Sequence, residues 1–286
     1  MLSLLQRSRV SDEPSHAGYI DTIIRAIAEC TSDIVIQMDS DSTDHVGTEP
    51  PATDVSDIKD LEIPPSWTTV FKESVKDIER ISKYLDGKVD EICPMPRNVY
   101  RAFWLTPLKC VKVVIVGQDP YHTVDNKYNP IADGLSFSTR KVAKQIPPSL
   151  KNIFAELVRS HKITMPDNGD LTEWAKKGIL MLNMSLTTQK KMANAHKNVW
   201  DGLIYEVVSA LVQLPVSPVF LLMGKNSQKI LTLVKGSHID SVCVVHPSPM
   251  ANSRAGASGG FVGSGCFADV DRIVHSKGFP PINWQP

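Results

Sequence analysis

The sequence predicts an α/β fold: a short central parallel β-sheet of about four strands flanked by helices on both faces, with a site at the carboxyl ends of the strands. Two observations carry this. Four short apolar runs, Val111 to Val116, Ile179 to Leu182, Val219 to Met223 and Val242 to Val245, lack the polar alternation of a half-exposed strand and read as strands buried on both faces. Each run is followed by a polar motif: Gly117-Gln-Asp-Pro-Tyr-His122, Asn183, Gly224-Lys-Asn-Ser227 and His246-Pro-Ser-Pro249. In an open parallel sheet these ends line the ligand crevice, so four segments distant in the chain converge on one pocket.

Helices fill the intervals. Ser149 is placed to cap a helix running through Ile153, Leu157 and Val158, and Trp200 to Leu214 and Gln228 to Val234 carry apolar residues at helical spacing. A boundary falls near Ser66. Residues 1–65 hold 4 Lys/Arg against 13 Asp/Glu, whereas residues 66–286 hold 27 against 18, so a −9 extension and a +9 domain cancel to zero net charge. The basic excess suits phosphate binding, with a solvated surface as the alternative. The acidic extension is then a weak competitor for the same groove. From Asp39 to Asp60 the chain has a linker composition, while Tyr19 to Met38 is apolar enough for a helix and a strand.

Hydrophobic residues make up 42% of the 286 positions, enough for a sizeable core. No apolar stretch approaches the roughly 20 residues that span a bilayer, so no membrane partner is expected. Arg7 and Arg9 give the first ten residues a transit-peptide flavour that Asp12 and Glu13 cut short. The five cysteines, Cys30, Cys93, Cys110, Cys243 and Cys266, are widely spaced and form no Cys-x-x-Cys pair, which predicts a reducing compartment and no metal. An intracellular protein is expected, nuclear or cytoplasmic according to its source, with the mitochondrion as a further address. No phosphate-loop or dinucleotide glycine pattern is present, so no cofactor is expected.

In the first motif Gly117 permits a tight exit from the strand and Pro120 stiffens the turn, which presents Asp119 beside Tyr121 and His122. An aspartate in such a turn can instead bond only to nearby backbone. The surrounding motifs decide between the two. Gly134-Leu-Ser-Phe-Ser138, Pro147-Pro-Ser-Leu150, the segment Gly169 to Asn183, Ala193-Asn-Ala-His196, Leu221-Leu-Met-Gly224, His246-Pro-Ser-Pro249 and Pro281-Ile-Asn-Trp284 follow in order. Together, from Trp67 to Trp284, they make the chain resemble family 1 uracil-DNA glycosylases.

That resemblance implies a catalytic domain over residues 66–286 that flips uracil from single- or double-stranded DNA and hydrolyses its N-glycosidic bond to begin base excision repair. It implies a monomer. Asp119 would stabilise the oxocarbenium-like sugar and orient water, and a neutral His246 would donate to uracil O2 as charge builds on the departing base. Asn183 would read the O4 and N3–H edge, Tyr121 would exclude the thymine methyl, Phe137 would stack on the base, and Gln118 would face base and water. His122, Pro147, Ser149, Ser248 and Arg254 would grip DNA. Two positions depart from the family pattern: Met250 stands where a wedging leucine is usual, and Lys225 where a serine is common. The segment from Thr123 to Asp133 is also longer than the pattern.

Three other readings compete. A DNA-holding module that has lost catalysis is disfavoured by Asp119, Asn183 and His246, and a mismatch-specific relative by Asp119 and Tyr121. An unrelated nucleotide hydrolase would need a phosphate loop that the sequence lacks.

Overall fold

Val113 to Val116 combine β-branched side chains with complete burial, and with Gly117 they form an inner strand of a four-stranded sheet. In the computed structural model, which describes residues 47–53, 55–143, 145–233, 238–254 and 259–286, the strands are β1 (Ile92–Cys93), β2 (Val113–Gly117), β3 (Ile179–Asn183), β4 (Thr188–Gln189), β5 (Val219–Met223) and β6 (Ser241–Val244). The main sheet runs β3-β2-β5-β6, every neighbouring pair parallel, and helices flank it. β1 and β4 form a small antiparallel pair of their own.

Register decides where the site falls. Gly117 at the end of β2 pairs with Asn183 at the end of β3, and Met223 at the end of β5 pairs with Val244 of β6. All four carboxyl ends therefore lie on one edge of the sheet. All residues of β2, β3 and β5 are buried, as the continuous apolar runs require. β6 differs from that expectation, since Cys243 and Val245 are exposed. It is the edge strand, and these two residues border an open groove.

The helix expected to be capped by Ser149 spans Pro148–His161 and starts two residues earlier, with Pro147 at the cap position and no side-chain cap. Proline at the first helical position needs no amide partner, so Pro148 nucleates the turn and Ser149 sits inside it. Asp201–Val212 forms the second expected helix. The third shortens to 3₁₀ turns over Ser227–Thr232, where one buried side chain of real size, Ile230, offers too little apolar surface to extend an α-helix. Three tryptophans at the core have satisfied indole N–H groups: Trp67 donates to Thr106 O, Trp174 to Trp284 O and Trp200 to Thr187 Oγ1.

The boundary near Ser66 is displaced. The compact unit runs over Asp44–Pro286, and its described residues before Ser66 pack against the rest. Thr48 N–H donates to Trp104 O at 3.0 Å, Glu49 holds Arg101 through two 2.7 Å contacts, and Ile58 is fully buried in the core. Asp57 accepts from the Ser82 hydroxyl at 2.6 Å and so fixes the short turn that delivers Ile58. A polar composition concealed one apolar anchor and one ion pair. Residues 1–46, including the segment Tyr19 to Met38 and most of the acidic extension, lie outside the described residues.

Candidate active site

Gly117 is demanded by closeness. A Cβ there would fall 2.4 Å from Asn183 Oδ1 and 2.9 Å from the Ser136 Cβ, so only glycine lets the loops after β2 and β3 and the 133–138 turn meet. Beyond the strand ends the pairing continues: Met184 N–H donates to Gly117 O and Ser185 N–H to Gln118 O. Asn183 is 3% exposed, and its Oδ1 has no partner among the described residues. A buried acceptor left open costs about 1–3 kcal/mol, so this oxygen is held ready for a donor that the protein does not supply.

Asp119 stands on the loop after β2, partly buried, and its Oδ2 accepts the Asn194 backbone N–H at 2.7 Å. Burial raises its carboxyl above the usual range, while the Asn194 amide, the His122 side chain and the Thr188 hydroxyl pull it back. The outcome is a carboxylate stripped of much of its water and steadied by fixed dipoles.

His246 follows β6. Its Nδ1 receives the Ser248 backbone N–H at 3.0 Å, which leaves the ring proton on Nε2. Burial also lowers its pKa, so the imidazole is neutral and still a donor. Its ring centroid lies 6.0 Å from that of Phe137.

Phe137 owes its place to buried ionic wiring. It adopts a left-handed backbone, φ +60°, in a turn organised by Asp133, which accepts from Leu135 N–H and the Ser138 hydroxyl and pairs with Arg101 at 3.0 Å. Arg101 is itself buried, and it also donates to Thr172 and Glu49. This network fixes the turn from below and leaves the Phe137 ring half-buried beside His246.

Gln118, Asp119, Tyr121, His122, Phe137, Ser149, Asn183 and His246 thus line one pocket of about 200 Å³. Tyr121 lines the pocket, and its hydroxyl is buried with no partner among the described residues. Lys225, Ser248 and Met250 line an adjoining open groove of about 740 Å³ that shares His246. Met250 is 62% exposed there, and the Ser248 hydroxyl accepts Ala251 N–H while keeping its own proton for a ligand. Ser149 lies in the first turn of a 14-residue helix whose amino terminus opens on the pocket, a place suited to a phosphate. Pro147 does not fit the part expected of it: it is buried at the start of that helix and offers no surface to DNA. The side chain of Arg254 lies outside the described part of the chain.

Sequence reasoning gave no role to Asn194, Thr188 or Asn226. Asn194 sits in the quoted Ala193-Asn-Ala-His196 motif, but it serves through a backbone N–H that residue type does not advertise. Gln118, expected to face base and water, lines the pocket with its side-chain amide held between Asn194 and Asn226. Among the described residues no group of three or more His, Cys, Asp or Glu side chains is placed to hold a metal ion.

A carboxylate, a neutral imidazole donor and an open amide edge in one small pocket can stabilise a cation on one side of a bond and an anion on the other while reading a heterocycle. Similarity to known proteins points the same way. The family model described as the uracil DNA glycosylase superfamily matches residues 103–261. The uracil-DNA glycosylase of Lachnoclostridium phytofermentans is 40% identical over 196 residues, covering 68% of this chain and 82% of that protein. That of Campylobacter hominis is 38% identical over 239 residues, covering 80% of this chain and 94% of its own. In fold the chain is similar to mimivirus uracil-DNA glycosylase, with a TM-score of 0.73 at 24% identity over 82% of this chain and 90% of that one. The chain belongs to the uracil DNA glycosylase superfamily.

Proposed function

We infer that this protein is a uracil-DNA glycosylase of the family 1 type that acts as a monomer on uracil in both single- and double-stranded DNA. It breaks the bond between uracil N1 and the sugar C1′, leaving free uracil and an abasic site. The bonding pair departs with the base, and the Nε2–H of neutral His246 stabilises the charge that develops on uracil O2. The ionised Asp119 faces the cationic sugar and orients the water whose oxygen bonds to C1′. The water's proton leaves through Asp119 to solvent, and the uracil anion is protonated after release.

The observation that carries this reading is the partnerless Oδ1 of Asn183 in the same pocket as Asp119 and His246. Uracil offers N3–H to that oxygen and O4 to the amide nitrogen, while cytosine reverses both roles. Unpaired polar groups in a closed pocket give about 10⁴-fold discrimination. Tyr121 occupies the wall where a thymine methyl would have to enter. Extrusion of a base costs a few kcal/mol, which contacts from Ser149, Ser248, His122 and Lys225 to phosphates and insertion of the exposed Met250 into the stack offset.

Oligonucleotides carrying one uracil, thymine or cytosine, single- and double-stranded, test this in excess chelator. Alkali-labile sites should form at uracil in both forms and nowhere else. Absence of product at uracil overturns the reading, cleavage at thymine overturns the role of Tyr121, and loss of activity with chelator overturns a mechanism carried by side chains alone.

A further inference from the structure

One hydrogen-bonded chain near the pocket is not used by the chemistry above. The loop after β5 places Asn226 so that its Nδ2 donates to Gln118 Oε1, and Gln118 Nε2 in turn donates to Asn194 Oδ1. Three side-chain amides thus span the loops after β5, β2 and β4, and the last of them belongs to the residue whose backbone N–H holds Asp119 Oδ2 at 2.7 Å. Asn194 has φ +57°, a left-handed conformation that asparagine tolerates better than most residues. An exposed residue in that conformation keeps it only when its surroundings define it.

We propose that Asn226 is a positioning residue for Asp119, acting through Gln118 and Asn194, and that the three amides form a strap that holds the carboxylate in register with the sugar. The proposal rests on the glycosylase reading for what Asp119 faces. Its geometry does not depend on that reading. The strap also separates the catalytic pocket from a second cavity of about 220 Å³ lined in part by Lys197, Asp201, Lys229 and Leu233, since Gln118 and Asn194 line both spaces. With the strap broken, the Gln118 side chain is free to leave the partition and solvent from the second cavity reaches Asp119.

Asn226 lies on the surface of the loop, so its truncation removes the strap without opening the core. Single-turnover excision by Asn226→Ala, Asn194→Ala and the double variant, each across pH, should show a rate lower by about tenfold at unchanged affinity for uracil-containing DNA. The double variant should be no slower than the slower single, because both break one chain. The acid limb should move to higher pH in every variant, since the ionised carboxylate loses its N–H donor. Titration of the Asp119 carboxyl by ¹³C NMR in wild type and Asn226→Ala reads the same displacement without relying on activity. An unmoved Asp119 titration overturns the proposal, as do additive losses or a defect confined to DNA affinity or thermal stability. A wild type without excision activity, combined with a displaced titration in Asn226→Ala, would instead overturn the uracil reading and leave the strap standing.

Discussion

The Ser248 backbone N–H donates to His246 Nδ1 at 3.0 Å, and this one contact settles which face of the imidazole carries its proton. The Nε2–H that remains is the ring's one N–H donor, on a residue that lines the pocket. Because Ser248 immediately precedes the helix Pro249–Arg254 and shares the groove with Met250, the segment proposed to grip DNA and the one proposed to assist the leaving base are the same. The proposed binding and chemistry are joined through the five residues from His246 to Met250.

The excision rate should be flat through neutral pH and fall on the acid side. Two groups set the limb. Asp119 must be ionised, and its pKa is raised above 3.8; His246 must be neutral, and its pKa is lowered below 6.5. The rate therefore rises from acid toward neutral pH and is lost as pH falls through the two folded-state values. A single-turnover pH profile checks this, and a rate that rises as pH falls below neutral would contradict an ionised Asp119 acting with a neutral His246.

Asn183→Ala should separate activity from stability. Uracil excision should fall by about 10²-fold or more, as for loss of a positioned donor or acceptor in a closed site. The melting temperature should hold or rise, because the variant deletes a buried acceptor without a partner. A drop of many degrees would show that Asn183 is a structural residue.

Asp133→Ala should be far more damaging than Glu49→Gln, although both touch Arg101. Asp133 is 3% exposed and holds the Phe137 turn, whereas Glu49 is half open to solvent. Losing Asp133 breaks its interior bonds to Arg101, Leu135 N–H and the Ser138 hydroxyl and leaves the buried guanidinium ion-paired, among the described residues, only with the solvent-exposed Glu49, which costs about 3–5 kcal/mol, against at most about 1 kcal/mol for an exposed pair. Urea denaturation of the two variants measures the difference, and equal losses would contradict the network.

Truncation should find the start of the folded unit. A chain beginning at Gly47 keeps Ile58 and Glu49, and one beginning at Ile63 loses both. The shorter chain should be less stable by about 2–5 kcal/mol, the usual effect of emptying a buried Ile site. Equal melting temperatures would return the boundary to Ser66.

Much of this was legible in the sequence for a physical reason. Continuous apolar runs with polar motifs at their ends leave few arrangements other than a parallel sheet with one functional edge, and Asp119, Asn183 and His246 are residue types chosen for their side chains. What escaped was carried by backbone or by distance. Asn194 acts through an N–H that every residue but proline possesses. The Arg101 network joins positions 49, 101, 133 and 172, and nothing along the chain marks them as neighbours. Pro147 read as a surface loop because proline-rich stretches often are, yet packing turned it inward. Ile58 was hidden in a polar segment, where composition averages over the one side chain that matters.

The most direct test of the central claim, that Asp119 and His246 act on one flipped uracil from opposite ends of the breaking bond, is single-turnover release of free uracil by wild type, Asp119→Asn and His246→Ala, with DNA affinity measured alongside. Each variant should bind uracil-containing DNA as wild type does and release uracil at least about 10²-fold more slowly. Variants that release uracil at the wild-type rate, or lose only their grip on DNA, would contradict it.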